Sequence, residues 1–137
     1  MSRGVLLDTH ALLWLAAGTD LSRAAVDRIE TAILARQCYV SAVTAWELGF
    51  LERRKSVSFA MPLDVWWPRT VALTQLIVLP INDIIAIRSS RLGEWTHQDP
   101  ADRLLAATAF EYELTLMTRD AKLMELGRLG IISIYAC

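Results

Sequence analysis

The chain has 137 residues, a net charge of −1, 54% hydrophobic and 21% charged residues. That is one domain of ordinary size with material for its own core, and the composition excludes a disordered tail. The near-neutral charge excludes a broadly basic nucleic-acid binder, and no apolar run reaches the roughly 18 to 20 residues of a membrane span.

In chain order, Val5-Leu6-Leu7 reads as a buried strand, because three consecutive apolar residues leave it no solvent face. Asp8 ends it, and Ala11, Leu12, Trp14 and Leu15 recur at helical spacing, giving a short helix over 11–17 that Gly18 closes. Ser22 caps a second helix over 23–35, with Ala25, Ile29, Ala32 and Ile33 on one face. Cys38-Tyr39-Val40 is a strand, Ser41 an N-cap and 42–54 a helix, ended by Arg53, Arg54 and Lys55 with the charge sign its dipole favours. A loop over 56–62 precedes a helix over 63–75, in which Pro68 should force a kink or a restart. A third strand covers 77–81, and Asn82 caps a helix to about Leu92. The polar loop 93–98 leads to Asp99-Pro100-Ala101-Asp102, a helix start with Asp99 at the cap and Pro100 at the first helical position. That helix runs to Tyr112. A fourth strand follows over 114–118, then a helix over 121–126 capped by Asp120 and closed by Gly127, and a last strand over 131–135.

Buried strands alternating with amphipathic helices predict an α/β fold with a parallel sheet covered on both faces. Without repeats, linkers or low-complexity tracts, 1–137 reads as a single domain. The mean hydropathy of +0.34 is high for a soluble monomer and implies covered surface, in a homodimer, with a permanent partner, or both.

Four acids share a topological address. Asp8 ends the first strand, Glu47 lies in the helix after the second, Asp102 is in the first turn of its helix and Asp120 follows the fourth strand. In a right-handed parallel sheet the helix N-termini gather beyond the strand C-termini, so these acids should converge. Each also has a plain structural role open to it. Asp8, Asp99 and Asp120 suit helix caps, Asp102 complements a dipole, and Thr44 with Glu47 has capping-box spacing. Taken together, convergent carboxylates repel unless cations neutralise them, and oxygen-only ligands suit Mg²⁺ or Mn²⁺. The chemistry implied is metal-assisted hydrolysis of a phosphodiester.

Leu6-Leu7-Asp8-Thr9-His10-Ala11-Leu12-Leu13-Trp14 resembles the opening of a PIN domain of the VapC type of toxin ribonuclease. Ser41-Ala42-Val43-Thr44-Ala45-Trp46-Glu47-Leu48 resembles its second motif, His97-Gln98-Asp99-Pro100-Ala101-Asp102-Arg103-Leu104-Leu105-Ala106-Ala107 its third and Thr118-Arg119-Asp120 its fourth. Together, in order and nearly end to end, the four are specific. The resemblance implies a PIN-like three-layer α/β/α fold with a mostly parallel sheet of about five strands. It implies an Mg²⁺- or Mn²⁺-dependent endoribonuclease acting on structured RNA (transfer or ribosomal), and a VapB-like antitoxin that inhibits it. Carried over by residue, it makes Asp8, Glu47, Asp102 and Asp120 catalytic metal ligands, with Asp99 as an accompanying acid.

Substrate contacts are expected from Thr9 and Thr118 beside the acids, from Arg54 and Lys55 toward RNA backbone, and from Arg103, which alternatively pairs with Glu94 or Glu111. His10 is a poor candidate for general base and His97 reads as a loop residue. Trp46 is expected to pack beside Glu47. Trp66 and Trp67 are expected at a partner or dimer interface, since aromatics are enriched there. Cys38 and Cys137 form neither a disulfide framework nor a zinc motif, and the N-terminus has no signal-peptide pattern, which points to a reducing, cytoplasmic setting. Two rival functions use the same residues: an aspartyl-phosphate phosphatase or receiver with Asp8 near the acceptor, and a non-catalytic PIN-like domain that only binds RNA or protein.

Overall fold

The computed structural model describes residues 4–137; the first three positions of the expected 1–137 domain, and of the stretch read for a signal, lie outside it. The described elements are β1 (Val5–Leu7), α1 (Thr9–Ala17), α2 (Arg23–Leu34), β2 (Cys38–Ser41), α3 (Ala42–Arg53), α4 (Leu63–Thr74), β3 (Ile77–Leu79), α5 (Asp83–Arg88), α6 (Pro100–Glu111), β4 (Thr115–Thr118), α7 (Ala121–Arg128) and β5 (Ser133–Ala136). The strands form one sheet in the order β3-β2-β1-β4-β5, with every pairing parallel.

Two cores flank the sheet, as strand alternation demands. Leu6 and Leu116 point to one face, where Leu105, Ala106, Leu123 and Leu126 of α6 and α7 cover them. Val5, Leu7, Val40 and Met117 point to the other, against Leu12, Ile29 and Leu48 of α1, α2 and α3. Both faces of β1 are therefore buried, which is why its sequence is apolar without alternation.

Most element ends follow the expected signals. Ser22, Ser41, Asn82 and Asp99 each accept a backbone N–H as N-caps, and Gly18 ends α1 in the left-handed region at φ 70°. Helix α4 runs as one element through Pro68, without a restart. Two readings need correction. Helix α5 ends at Arg88, well short of Leu92. Gly127 lies within α7, where a Cβ would sit 3.0 Å from Ile134 Cγ1, and the turn with positive φ is at Gly130. Ile77 and Val78 of β3 are exposed, because β3 is an edge strand.

β1 is the central strand, and the chain leaves it toward β2 and β3 before crossing back to β4 on its other side. The strand order thus reverses at β1, and the crevice beyond the C-terminal ends of β1 and β4 is where such sheets build sites.

Candidate active site

Leu7 is paired with Met117, so the next residues stand level, Asp8 just past the end of β1 and Thr118 at the last position of β4. Asp8 keeps an extended backbone and caps α1, its Oδ1 accepting from Ala11 N at 2.8 Å. Its Oδ2 accepts from Thr118 Oγ1 at 2.5 Å. The Thr118 oxygen in turn accepts from the backbone N of Asp120 at 3.0 Å. Asp120 caps α7 through Oδ1, which accepts from Lys122 N at 2.8 Å, and is exposed.

Asp102 lies in the first turn of α6, where Asp99 Oδ1 accepts its backbone N–H at 2.9 Å. Its own carboxylate meets His97, with Oδ2 2.7 Å from Nε2. Glu47 is at the sixth position of α3, too deep for the capping box, since Ser41 is the cap. Glu47 Oε1 accepts from Thr9 Oγ1, which ties α3 to the turn after Asp8. Glu47 also shares a cleft of about 200 Å³ with Trp46, Phe50, Arg54, Asp99 and Pro100, between α3 and the start of α6.

Burial raises the pKa of Asp8 above its ordinary 3.8; the Thr118 and Ala11 hydrogen bonds and His10 oppose the shift, and the Asp120 charge adds to it. Burial also raises Asp102, opposed by the His97 hydrogen bond and reinforced by the charges of Asp99 and Asp120. Asp120 therefore acts on both other aspartates, so the three lie within one electrostatic neighbourhood. Among the described residues, no three His, Cys, Asp or Glu side chains are gathered as a ready coordination sphere. By chemistry the donors suit a hard divalent cation: all are carboxylate oxygens, and their mutual repulsion is what such an ion relieves.

The residues expected to contact substrate have the following surroundings. Thr9 and Thr118 are buried, and their hydroxyls are engaged with Glu47 and Asp8, so they stand behind the acids. Arg103 pairs with neither Glu94 nor Glu111. It donates to the carbonyls of Ser89, Trp95 and His97, while Glu111 pairs with Arg88. Arg54 and Lys55 are exposed just past α3. Trp46 does not pack inward: it is 52% exposed, with Phe50 edge-on at 4.9 Å. The Trp66 and Phe59 ring centroids are 4.5 Å apart, with Trp66 half-buried against the core on the α1 side, and Trp67, also half-buried there, lines a groove with Leu34, Val71 and Val78 at the β3 edge. Sequence reasoning passed over His97 as a partner of Asp102; the five-residue offset in His97-Gln98-Asp99-Pro100-Ala101-Asp102 was the available signal. Both cysteines are buried and free, and burial pushes the Cys38 thiol up to about 12, which keeps it protonated.

The PIN domain family profile matches residues 5–129. The chain belongs to the PIN domain family. This PIN domain is 35% identical over 126 residues to Ribonuclease VapC22 of Mycobacterium tuberculosis (strain ATCC 25618 / H37Rv), covering 87% of this chain and 88% of that one. Its fold matches FitAcB from Neisseria gonorrhoeae with a TM-score of 0.66 at 21% identity, covering 96% of each chain. It also matches VapBC2 from Rickettsia felis, solved bound to a DNA fragment from their promoter, with a TM-score of 0.69 at 13% identity and 96% coverage of each chain. These likenesses establish the three-layer α/β/α PIN fold with a five-stranded parallel sheet.

Proposed function

We propose that this PIN domain is an Mg²⁺- or Mn²⁺-dependent endoribonuclease toxin that hydrolyses phosphodiester bonds in structured RNA, in a transfer or a ribosomal RNA. One observation carries the reading: at the C-terminal ends of β1 and β4, Thr118 joins Asp8 and Asp120 through one hydroxyl, bonding the Asp8 carboxylate and the Asp120 backbone N–H. The ribonuclease identity of its relative VapC22 supports it. A VapB-like antitoxin is the proposed inhibitor, in keeping with a structural neighbour solved as a toxin–antitoxin complex from Klebsiella pneumoniae. A homodimer and a cytoplasmic setting complete the proposal. Exposed Ile84 and Ile87 of α5 supply apolar surface for pairing, and no described helix is long and apolar enough to cross a membrane.

Asp8, Asp102, Asp120 and Glu47 would hold the ion, with Asp99 close by. When bound, the ion neutralises phosphate charge and lowers the pKa of a water. The chain's own residues fix the geometry for this. Thr118 and the α1 N-terminus hold both oxygens of Asp8, Thr9 holds Glu47, and the exposed Arg54 and Lys55 are the proposed contacts to RNA backbone. Attack by external water breaks the bond to the 3′ oxygen, which takes a proton, leaving a 5′-phosphate and a 3′-hydroxyl. The aspartyl-phosphate alternative fits poorly, because Asp8-Thr9-His10 lacks the second acid two positions on that such phosphatases use.

The test is Asp8→Asn, which retains a capping oxygen. Folding should persist, and cleavage of RNA with Mn²⁺ should fall by more than the about 10- to 100-fold that outer-shell changes cost at metal sites. Parent-like cleavage by Asp8→Asn would sink the assignment. Carboxylate-independent RNA binding without cleavage by the parent would establish the non-catalytic alternative.

A further inference from the structure

We propose that His97 is a positioning residue for Asp102, and that the segment carrying it, residues 93–98, is a strap that sets Asp102 against Asp120. The inference rests on the reading of Asp102 as a cation ligand and extends it to a residue outside the acid set.

The contact is direct. His97 Nε2 lies 2.7 Å from Asp102 Oδ2, with the two side chains 15% and 21% exposed. This is the only hydrogen bond to the Asp102 carboxylate among the described residues, since Asp99 engages the backbone N–H of Asp102 and not its side chain. Without His97, the Asp102 side chain would be free to turn about its own bonds. The bond occupies one carboxylate oxygen and leaves the other available.

The backbone that carries the imidazole is held by Arg103, and the ring itself lies against Trp95. Arg103, the residue after Asp102, donates from Nη1 to His97 O at 2.7 Å and to Trp95 O at 3.3 Å, and from Nε to Ser89 O at 2.6 Å. Its guanidinium also lies 5.3 Å from the Trp95 ring centroid. The Trp95 and His97 rings are 5.3 Å apart and tilted by 54°. Trp95 is 3% exposed, and its indole N–H donates to Lys122 O at 3.0 Å, two residues past Asp120. The strap is therefore fastened to α6 beside Asp102 and to α7 beside Asp120, so it fixes the separation of the two acids.

A purely structural role for His97 explains less. Arg103 and Trp95 already anchor the segment without the imidazole nitrogen. Placing that nitrogen on a partly buried carboxylate, in a neighbourhood of like charge, does for Asp102 what partners of ligating side chains do at metal sites. Losing such partners costs about 10- to 100-fold in metal affinity.

The experiment measures Mn²⁺ affinity of the full chain by titration calorimetry, without RNA, beside thermal melting and RNA cleavage. His97→Ala should weaken Mn²⁺ binding about 10- to 100-fold while the melting temperature stays within a few degrees. His97→Phe, which keeps a ring against Trp95 but has no N–H, should lose as much. His97→Gln, whose amide nitrogen reaches a position close to imidazole Nε2, should recover to within a few-fold of the parent. Trp95→Phe, which loses the bond to Lys122 O and part of the buried ring packing but keeps His97, should weaken Mn²⁺ binding by a smaller factor. Parent-like Mn²⁺ affinity in both His97→Ala and His97→Phe, with affinity lost in Asp102→Asn, overturns the positioning role and leaves the site reading intact. A glutamine variant as weak as the alanine variant also overturns it, since packing and not the hydrogen bond would then matter. Parent-like Mn²⁺ binding and cleavage in Asp102→Asn overturns the site reading itself.

Discussion

Thr118 links two acids through one oxygen. Its hydroxyl donates to Asp8 Oδ2 and accepts from the backbone N of Asp120, while the residue is fully buried. A hydrogen bond to an ionised carboxylate favours the ionised form, so this contact holds the Asp8 pKa down against the burial that raises it. Thr118→Val keeps the shape and removes both bonds. Asp8 should then titrate higher, moving the acid limb of the cleavage pH profile upward, and stability at neutral pH should fall by about 1–3 kcal/mol for the unsatisfied buried oxygen. Thr118→Ser should restore both. An acid limb that stays in place in Thr118→Val refutes the link. At this scale the sequence showed Asp8 as either cap or site residue. The structure shows the cap directly, through one carboxylate oxygen, and leaves the second oxygen accepting from Thr118. The role of the hydroxyls was not legible, because whether a threonine faces ligand or acid depends on the register between strands 110 positions apart in sequence.

At the scale of elements, α3 carries more of the site surface than its sequence suggests. Trp46, Glu47 and Phe50 line one cleft with Arg54, and the exposed aromatic pair stands beside the acid. An apolar residue beside an acid ordinarily reads as packing, and only the placement of α6 against α3 shows that this part of the helix opens onto a cleft. Helix caps were legible because each is a local bargain between one side chain and a nearby N–H. The end of α7 was not, because Gly127 is required by close approach to β5 and not by a turn. If Arg54 and Lys55 meet RNA phosphates, the double change to alanine should raise KM several-fold with kcat nearly unchanged. The slope of log affinity against log salt should become shallower by about 1 to 2. An unaltered salt slope removes both residues from the substrate surface.

At the scale of the molecule, the all-parallel sheet was legible from alternating buried strands and helices, whereas the central place of β1 was not, since strand order depends on which crossover goes to which side. That order brings Asp8 beside Thr118 and Asp120, and it has a thermodynamic consequence. Asp8 and Asp102 titrate above 3.8 in the folded chain because they are buried. Between 3.8 and their raised values the folded state binds more protons than the unfolded state, so stability falls as pH rises through that window, and the penalty is complete above it. A divalent cation that binds only the folded, ionised site should offset the penalty, by about 2.7 kcal/mol at a concentration 100 times its Kd. Melting at pH 7 should therefore rise by several degrees with Mn²⁺, and the rise should shrink toward pH 4 as the acids take up protons. In Asp102→Asn one buried charge is gone, so the metal-free melting temperature at pH 7 should equal or exceed that of the parent and the Mn²⁺ increment should be largely lost. A melting temperature at pH 7 indifferent to Mn²⁺ in the parent would mean that these carboxylates are buried together for some purpose other than holding a cation.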